Sequence, residues 1–138
     1  MLIIDDYPPG LRLLNELSRA AGLASIAASS IDTVTHAAFA QPIAGIIIDA
    51  DCHSESWIDF VRRMRSKNDE TESVPVFILS SISRAARTNF LTELGVTAVL
   101  GKPICVSDFF VMLERWVSPR VEALRQAQHC DRNSLLQG

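Results

Sequence analysis

Residues 43–51 read IAGIIIDAD, a short run whose isoleucines are apolar at consecutive positions and which stops on an acid at Asp49. An amphipathic strand would alternate; a continuous β-branched run suits a parallel strand covered on both faces. Both flanks support that reading. Pro42 closes the segment before it, and Trp57, Phe60, Val61 and Met64 follow at helical spacing. Arg62, Arg63 and Arg65 fall at that helix's C-terminal end, where the helix dipole favours cations.

The same unit recurs along the chain. Leu2-Ile3-Ile4 is a strand that ends on Asp5 and Asp6. Pro8 and Pro9 are tolerated in the first turn of the helix carrying Leu11, Leu14, Leu17 and Ala21, and Gly22 stands at its C-terminal cap. Residues 23–28 form a weaker, alanine-containing strand. Ser29 or Ser30 caps an expected helix to about Ala40, with Ile31, Val34 and Ala38 on one face. Beyond the polar loop SKNDETES (residues 66–73) come a strand at 74–79 followed by Ser80, a helix marked by Ala86, Phe90, Leu91 and Leu94, and a strand at 96–100. Gly101-Lys102-Pro103 follow, then a helix capped by Ser107 with Phe109, Met112, Leu113 and Trp116 inward. The alternation predicts an α/β fold: a (βα)5 doubly wound, five-stranded parallel sheet in three layers, flavodoxin-like in class.

In such sheets the ligand crevice lies beyond the carboxyl ends of the strands. Asp5, Asp6, Asp49, Ser80 and Lys102 each stand at such an end and are expected to converge on one edge. Crowded carboxylates repel unless a cation neutralises them, and hard oxygen ligands suit Mg²⁺. A carboxylate is also a competent nucleophile toward phosphorus, while Lys102 and a metal disperse the charge of a transferring phosphoryl group. These residues therefore point to Mg²⁺-dependent phosphorylation of an aspartate.

On these motifs the chain, over residues 1–118, resembles the CheY-like receiver domain of bacterial two-component response regulators. The resemblance rests on IIDD, IIIDAD, VFILSS and GKPI, in order and at the right strand ends. It implies Asp49 as phosphoacceptor, with Ser80 and Lys102 as the hydroxyl and cation that contact the phosphoryl group. It also implies Mg²⁺ held by Asp5, Asp6 (more directly), Asp49 and the backbone carbonyl of Asp51. A sensor histidine kinase or histidine phosphotransfer protein is the implied donor, so the chain modifies itself and is not an enzyme acting on other substrates. His53 and Trp57 replace the Pro and Gly that many receivers carry in the loop after the acceptor. Val99 replaces the family's switch aromatic, so the signal is expected to leave through the loop from Ser81 to Arg84 and the helix after it.

Composition bounds the alternatives. Thirteen basic and 16 acidic side chains in 138 residues leave a formal charge of −3, with no basic footprint for nucleic acid and no polybasic membrane anchor. No apolar run approaches the roughly 20 residues of a membrane span, and no secretory signal is visible, so a cytoplasmic protein is expected. Cys52, Cys105 and Cys130 show no CxxC spacing, and His36, His53 and His129 share no ligand spacing. Residues 119–138 are expected to form a helical extension or linker with no output domain; packing on the domain and homodimerisation are its other readings. Two rival functions remain. A HAD-type phosphatase shares Asp49-Ala50-Asp51, but in that family the acidic pair comes last. A degenerate receiver would act as an interaction module without phosphorylation.

Overall fold

The computed structural model describes residues 1–34, 39–51, 56–81 and 88–137. Five parallel strands run in the order β2-β1-β3-β4-β5: β1 (Leu2–Ile4), β2 (Ile26–Ala28), β3 (Ile46–Asp49), β4 (Val76–Ser80) and β5 (Ala98–Gly101). The chain reverses its direction of travel across the sheet between β1 and β3, which makes their carboxyl ends the topological switch point. The central strands are apolar up to their last residues, Asp49 in β3 and Ser80 in β4, because both faces are covered. Ile3, Ile47, Phe77 and Leu79 lie in one core with Leu14, Phe109, Met112 and Val117. Leu2, Ile4, Ile46, Ile48 and Ile78 lie in the other, with Trp57, Phe60, Met64, Leu91 and Leu94.

Helix α1 (Pro8–Ala20) begins on the two prolines and ends at Gly22, whose φ of 78° is left-handed and whose N–H donates to Arg19 O at 2.9 Å. Helices α2 (Ser56–Arg65) and α3 (Thr88–Leu94) cover the second face. Trp57, Phe60, Val61 and Met64 are buried as their spacing predicts, whereas Phe90 is exposed. Trp57 therefore fills the core under α2 and offers no surface; His53 lies outside the described residues.

The helix expected from Ser30 to Ala40 is replaced at its start by a 3₁₀ turn, Ile31–Thr33, after which Val34 is extended. The Ser30 N–H donates to Thr33 Oγ1 at 3.1 Å, and that hydroxyl donates back to Ser30 O at 2.8 Å. These local bonds give the backbone an alternative to a continuing helix. Residues 35–38, including Ala38 and His36, lie outside the described residues. The last helix starts earlier than expected: α4 (Val106–Met112) is capped at Cys105, and Ser107 lies inside its first turn. A π-helical turn, Leu113–Val117, joins it to α5 (Ser118–Gln137). Val121 packs against the first core and Arg120 Nε donates to Ile43 O at 2.9 Å, so the first turns of α5 sit on the domain; from Arg125 onward the helix is exposed. Among the described residues no helix is long and apolar enough to cross a membrane.

Candidate functional site

The register that pairs Ile4 with Ile48 sets Asp5, the next residue after β1, beside Asp49 at the end of β3. β4 lies on the other side of β3, pairing Leu79 with Asp49, and β5 pairs Gly101 with Ser80, so Lys102 arrives just past that pair. All the strand-end residues are thus brought to one edge. Asp5 and Asp49 are buried, with 3% and 4% of their surface exposed, and Asp6 is exposed. One carboxylate oxygen from each of the three lies within 4.8 Å of the others. This is a hard, all-oxygen donor set. A divalent ion bound at about 2.0–2.6 Å would need these oxygens to close in only slightly.

Burial, reinforced by the negative Asp49, pushes the Asp5 carboxyl up to about 6, against the Tyr7 N–H that donates to Asp5 Oδ1 at 2.9 Å and favours the anion. Asp5 thus carries a charge that its surroundings do not neutralise, which a bound cation would relieve.

Lys102 Nζ reaches Asp49 Oδ2 at 2.7 Å and Asp51 Oδ2 at 3.1 Å. Partial burial alone would lower its pKa, but hydrogen bonds and charge from both aspartates hold the ammonium above its usual range. The Asp51 N–H donates to Asp49 Oδ1 at 2.9 Å, so both carboxylate oxygens of Asp49 are oriented. Lys102 and Pro103 are joined by a cis peptide bond.

Ser80 Oγ donates to Asp51 Oδ1 at 3.2 Å, and the Ser81 N–H donates to Asp51 Oδ2 at 3.0 Å. Burial would raise the Asp51 carboxyl, but Lys102 and the Ser81 N–H outweigh it and hold the group below the ordinary carboxylate range. The family resemblance assigns Asp51 a role through its backbone carbonyl; its side chain is in addition the hub of the Lys102–Ser80–Ser81 contacts. Gly10 was also missed. A Cβ there would stand 2.7 Å from Asp5 Oδ2, so α1 passes against the acid with no room for a side chain. A glycine inside a helix's first turns, where alanine is preferred, was the available signal. Val99 is half-buried against the core that holds Leu91 and Leu94.

The fold has parallels among solved structures. A sensor protein from Polaromonas sp. JS666 matches with a TM-score of 0.74 at 23% identity, over 86% of this chain and 95% of that one. The receiver domain of the sensor histidine kinase PA1611 from Pseudomonas aeruginosa PAO1, whose crystal structure has magnesium coordinated in the active-site cleft, matches at 0.71 and 18%, over 84% and 94%. Chemotaxis protein CheY4 of Vibrio cholerae matches at 0.74 and 19%, over 83% and 95%. In sequence, the chain is 26% identical over 132 residues to the acid tolerance regulatory protein ActR of Rhizobium meliloti (strain 1021), covering 96% of this chain. It spans 66% of the length of that relative. No family model matches the chain. Strand order, the acidic switch point and these superpositions agree: the chain has the fold of a CheY-like receiver domain.

Proposed function

We infer that this chain is a phosphoacceptor receiver in a histidine-to-aspartate relay, with Asp49 as the acceptor. The observation that carries the reading is the placement of one buried carboxylate, Asp49, between an acidic cluster on one side and the Lys102 ammonium at 2.7 Å on the other. An Asp49 oxygen attacks phosphorus, the O–P bond forms as the N–P bond of a phosphohistidine breaks, and the electron pair and a proton end on the imidazole nitrogen. Lys102 and the Ser80 hydroxyl stabilise the oxygens of the phosphoryl group where it arrives. Magnesium supplies charge that offsets that of the phosphoryl oxygens; Asp5, Asp6, Asp49 and the Asp51 carbonyl would hold it. Residues 1–118 constitute the receiver, 119–138 a helical extension, and a histidine kinase or phosphotransfer protein in the cytoplasm the donor.

Incubation with Mg²⁺ and acetyl phosphate tests this. Intact-mass spectra should show one added phosphate on the wild type and none on Asp49→Asn, whose amide is not a carboxylate nucleophile. Incorporation by Asp49→Asn would move the acceptor elsewhere, Asp51 first. No Asp49-dependent modification at all would favour a receiver that works by binding alone.

A further inference from the structure

The Asp51 side chain is the part of this edge that the phosphoacceptor reading does not use. Its carboxylate takes the Ser80 hydroxyl at 3.2 Å, the Ser81 N–H at 3.0 Å and the Lys102 ammonium at 3.1 Å. A phosphoryl group on Asp49 would present anionic oxygens needing donors and positive charge within reach of Asp49. Lys102 is already on Asp49 Oδ2, Ser80 ends the neighbouring strand and Ser81 follows it. Among the described residues, the donors placed to meet that phosphoryl group are thus ones Asp51 has recruited, and two anions competing for them in a partly desolvated site repel each other.

We propose that the Asp51 carboxylate is a tethered occupant of the phosphoryl pocket, held by Lys102, Ser80 and Ser81 in the resting chain and displaced when Asp49 is phosphorylated. The proposal rests on the phosphoacceptor reading of Asp49. The tether is the backbone: the Asp51 N–H stays on Asp49 Oδ1 at 2.9 Å while rotation about the Cα–Cβ bond carries the carboxylate outward. An exit exists, because the Asp51 side chain is 25% exposed. Two consequences follow. Phosphoryl acceptance is slowed by competition with the chain's own anion, and the end of β4 is held before any signal arrives, so the resting and phosphorylated forms differ less there than an empty pocket would allow.

The test uses the full chain at saturating Mg²⁺ with beryllofluoride as the probe. Asp51→Ala and the near-isosteric Asp51→Asn keep the backbone carbonyl and remove the competing charge. Both should bind beryllofluoride about tenfold tighter by calorimetry, the order of factor carried by one hydrogen bond to a charged group. Acetyl phosphate should modify Asp49 faster in both by a similar factor. Hydrogen exchange adds a readout whose recovery with beryllofluoride a purely structural role would not give. The Ser81 amide should exchange faster in Asp51→Ala than in the wild type, and beryllofluoride should return it to full protection. Equal or weaker beryllofluoride binding in both variants overturns the proposal while leaving Asp49 as acceptor. Failure of the wild type and both variants to bind the probe or accept phosphate overturns the phosphoacceptor reading itself, and the proposal with it.

Discussion

Lys102 and Asp49 form an ion pair across 53 positions of sequence, with Nζ 2.7 Å from Oδ2, and the same ammonium lies 3.1 Å from Asp51. One cation is thus shared by two carboxylates, and a metal ion at Asp5, Asp6 and Asp49 would have to bind in its field. Replacing Lys102 by Met should separate two effects. Mg²⁺ affinity should rise about tenfold, because a like charge a few ångströms away is removed, discounted for the solvent reaching this partly exposed side chain. If Asp49 is the phosphoacceptor, phosphate incorporation should fall sharply, because the charge that would receive the phosphoryl oxygens is gone. Calorimetric Mg²⁺ titration checks the first; unchanged affinity would mean that Lys102 does not oppose the metal.

The raised carboxyl of Asp5 makes metal-free stability depend on pH. A folded-state value of about 6 against an unfolded value near 3.8 means that the stabilising contribution is fully present below the unfolded value and is lost as pH rises through about 6. Asp49, Asp6 and Lys102 face this group, and the Tyr7 N–H bonds it, so Asp5→Asn removes one charge while keeping an acceptor for that N–H. In EDTA at pH 8 the variant should be more stable than wild type, because it no longer holds a buried charge beside Asp49. The gain should be largely lost at pH 4 and vanish below the unfolded value. Urea melts at the two pH values decide it, and a gain equal at both would place its origin outside this ionisation.

Gly10→Ala would ordinarily stabilise an exposed helix by about 1 kcal/mol. Here the new methyl would meet Asp5 Oδ2 at 2.7 Å, and that carboxylate is buried and held by the Tyr7 N–H. The gain should be cancelled and Mg²⁺ affinity should fall several-fold as Asp5 is pushed from its place. A stabilised variant with unaltered Mg²⁺ binding would show that Asp5 moves freely.

Arg65 governs the opposite edge of the sheet. Its guanidinium donates to Gly95 O at 3.0 and 2.8 Å, to Val74 O at 2.7 Å and to Glu72 O at 2.6 Å, binding the end of α2 to the segments that enter β4 and β5. Gly95 has a φ of 97°, and a Cβ there would stand 2.9 Å from Arg65 Nε, so this turn requires glycine for two reasons. Arg65→Lys should cost about 2 kcal/mol in chemical denaturation, because a single ammonium cannot span the three carbonyls, and Arg65→Met about 3 kcal/mol. Mg²⁺ binding should not change in either. Full stability of Arg65→Lys would show that one hydrogen bond suffices.

The local sequence alone determined the central strands and the residues at their ends. Ile46, Ile47 and Ile48 are apolar at consecutive positions because a sheet covered on both faces demands it, and that demand is written into neighbouring residues. The inward faces of α1, α2 and α4 were legible for the same reason: burial at a fixed period is a short-range pattern. From this the convergence of Asp5, Asp6, Asp49, Ser80 and Lys102 followed as topology. Other features were decided only by the tertiary structure. The segment after Ser30 turned into a 3₁₀ turn because the Ser30–Thr33 bonds offered the backbone an alternative, which a helical spacing of apolar residues does not record. The direction of the Ser80 hydroxyl, toward Asp51 and 29 residues away, and the approach of Gly10 to Asp5 depend on cross-strand register and on how α1 lies over the edge. Partner choice among several acids crowded at one edge is a matter of angstroms, set by elements far apart in the chain.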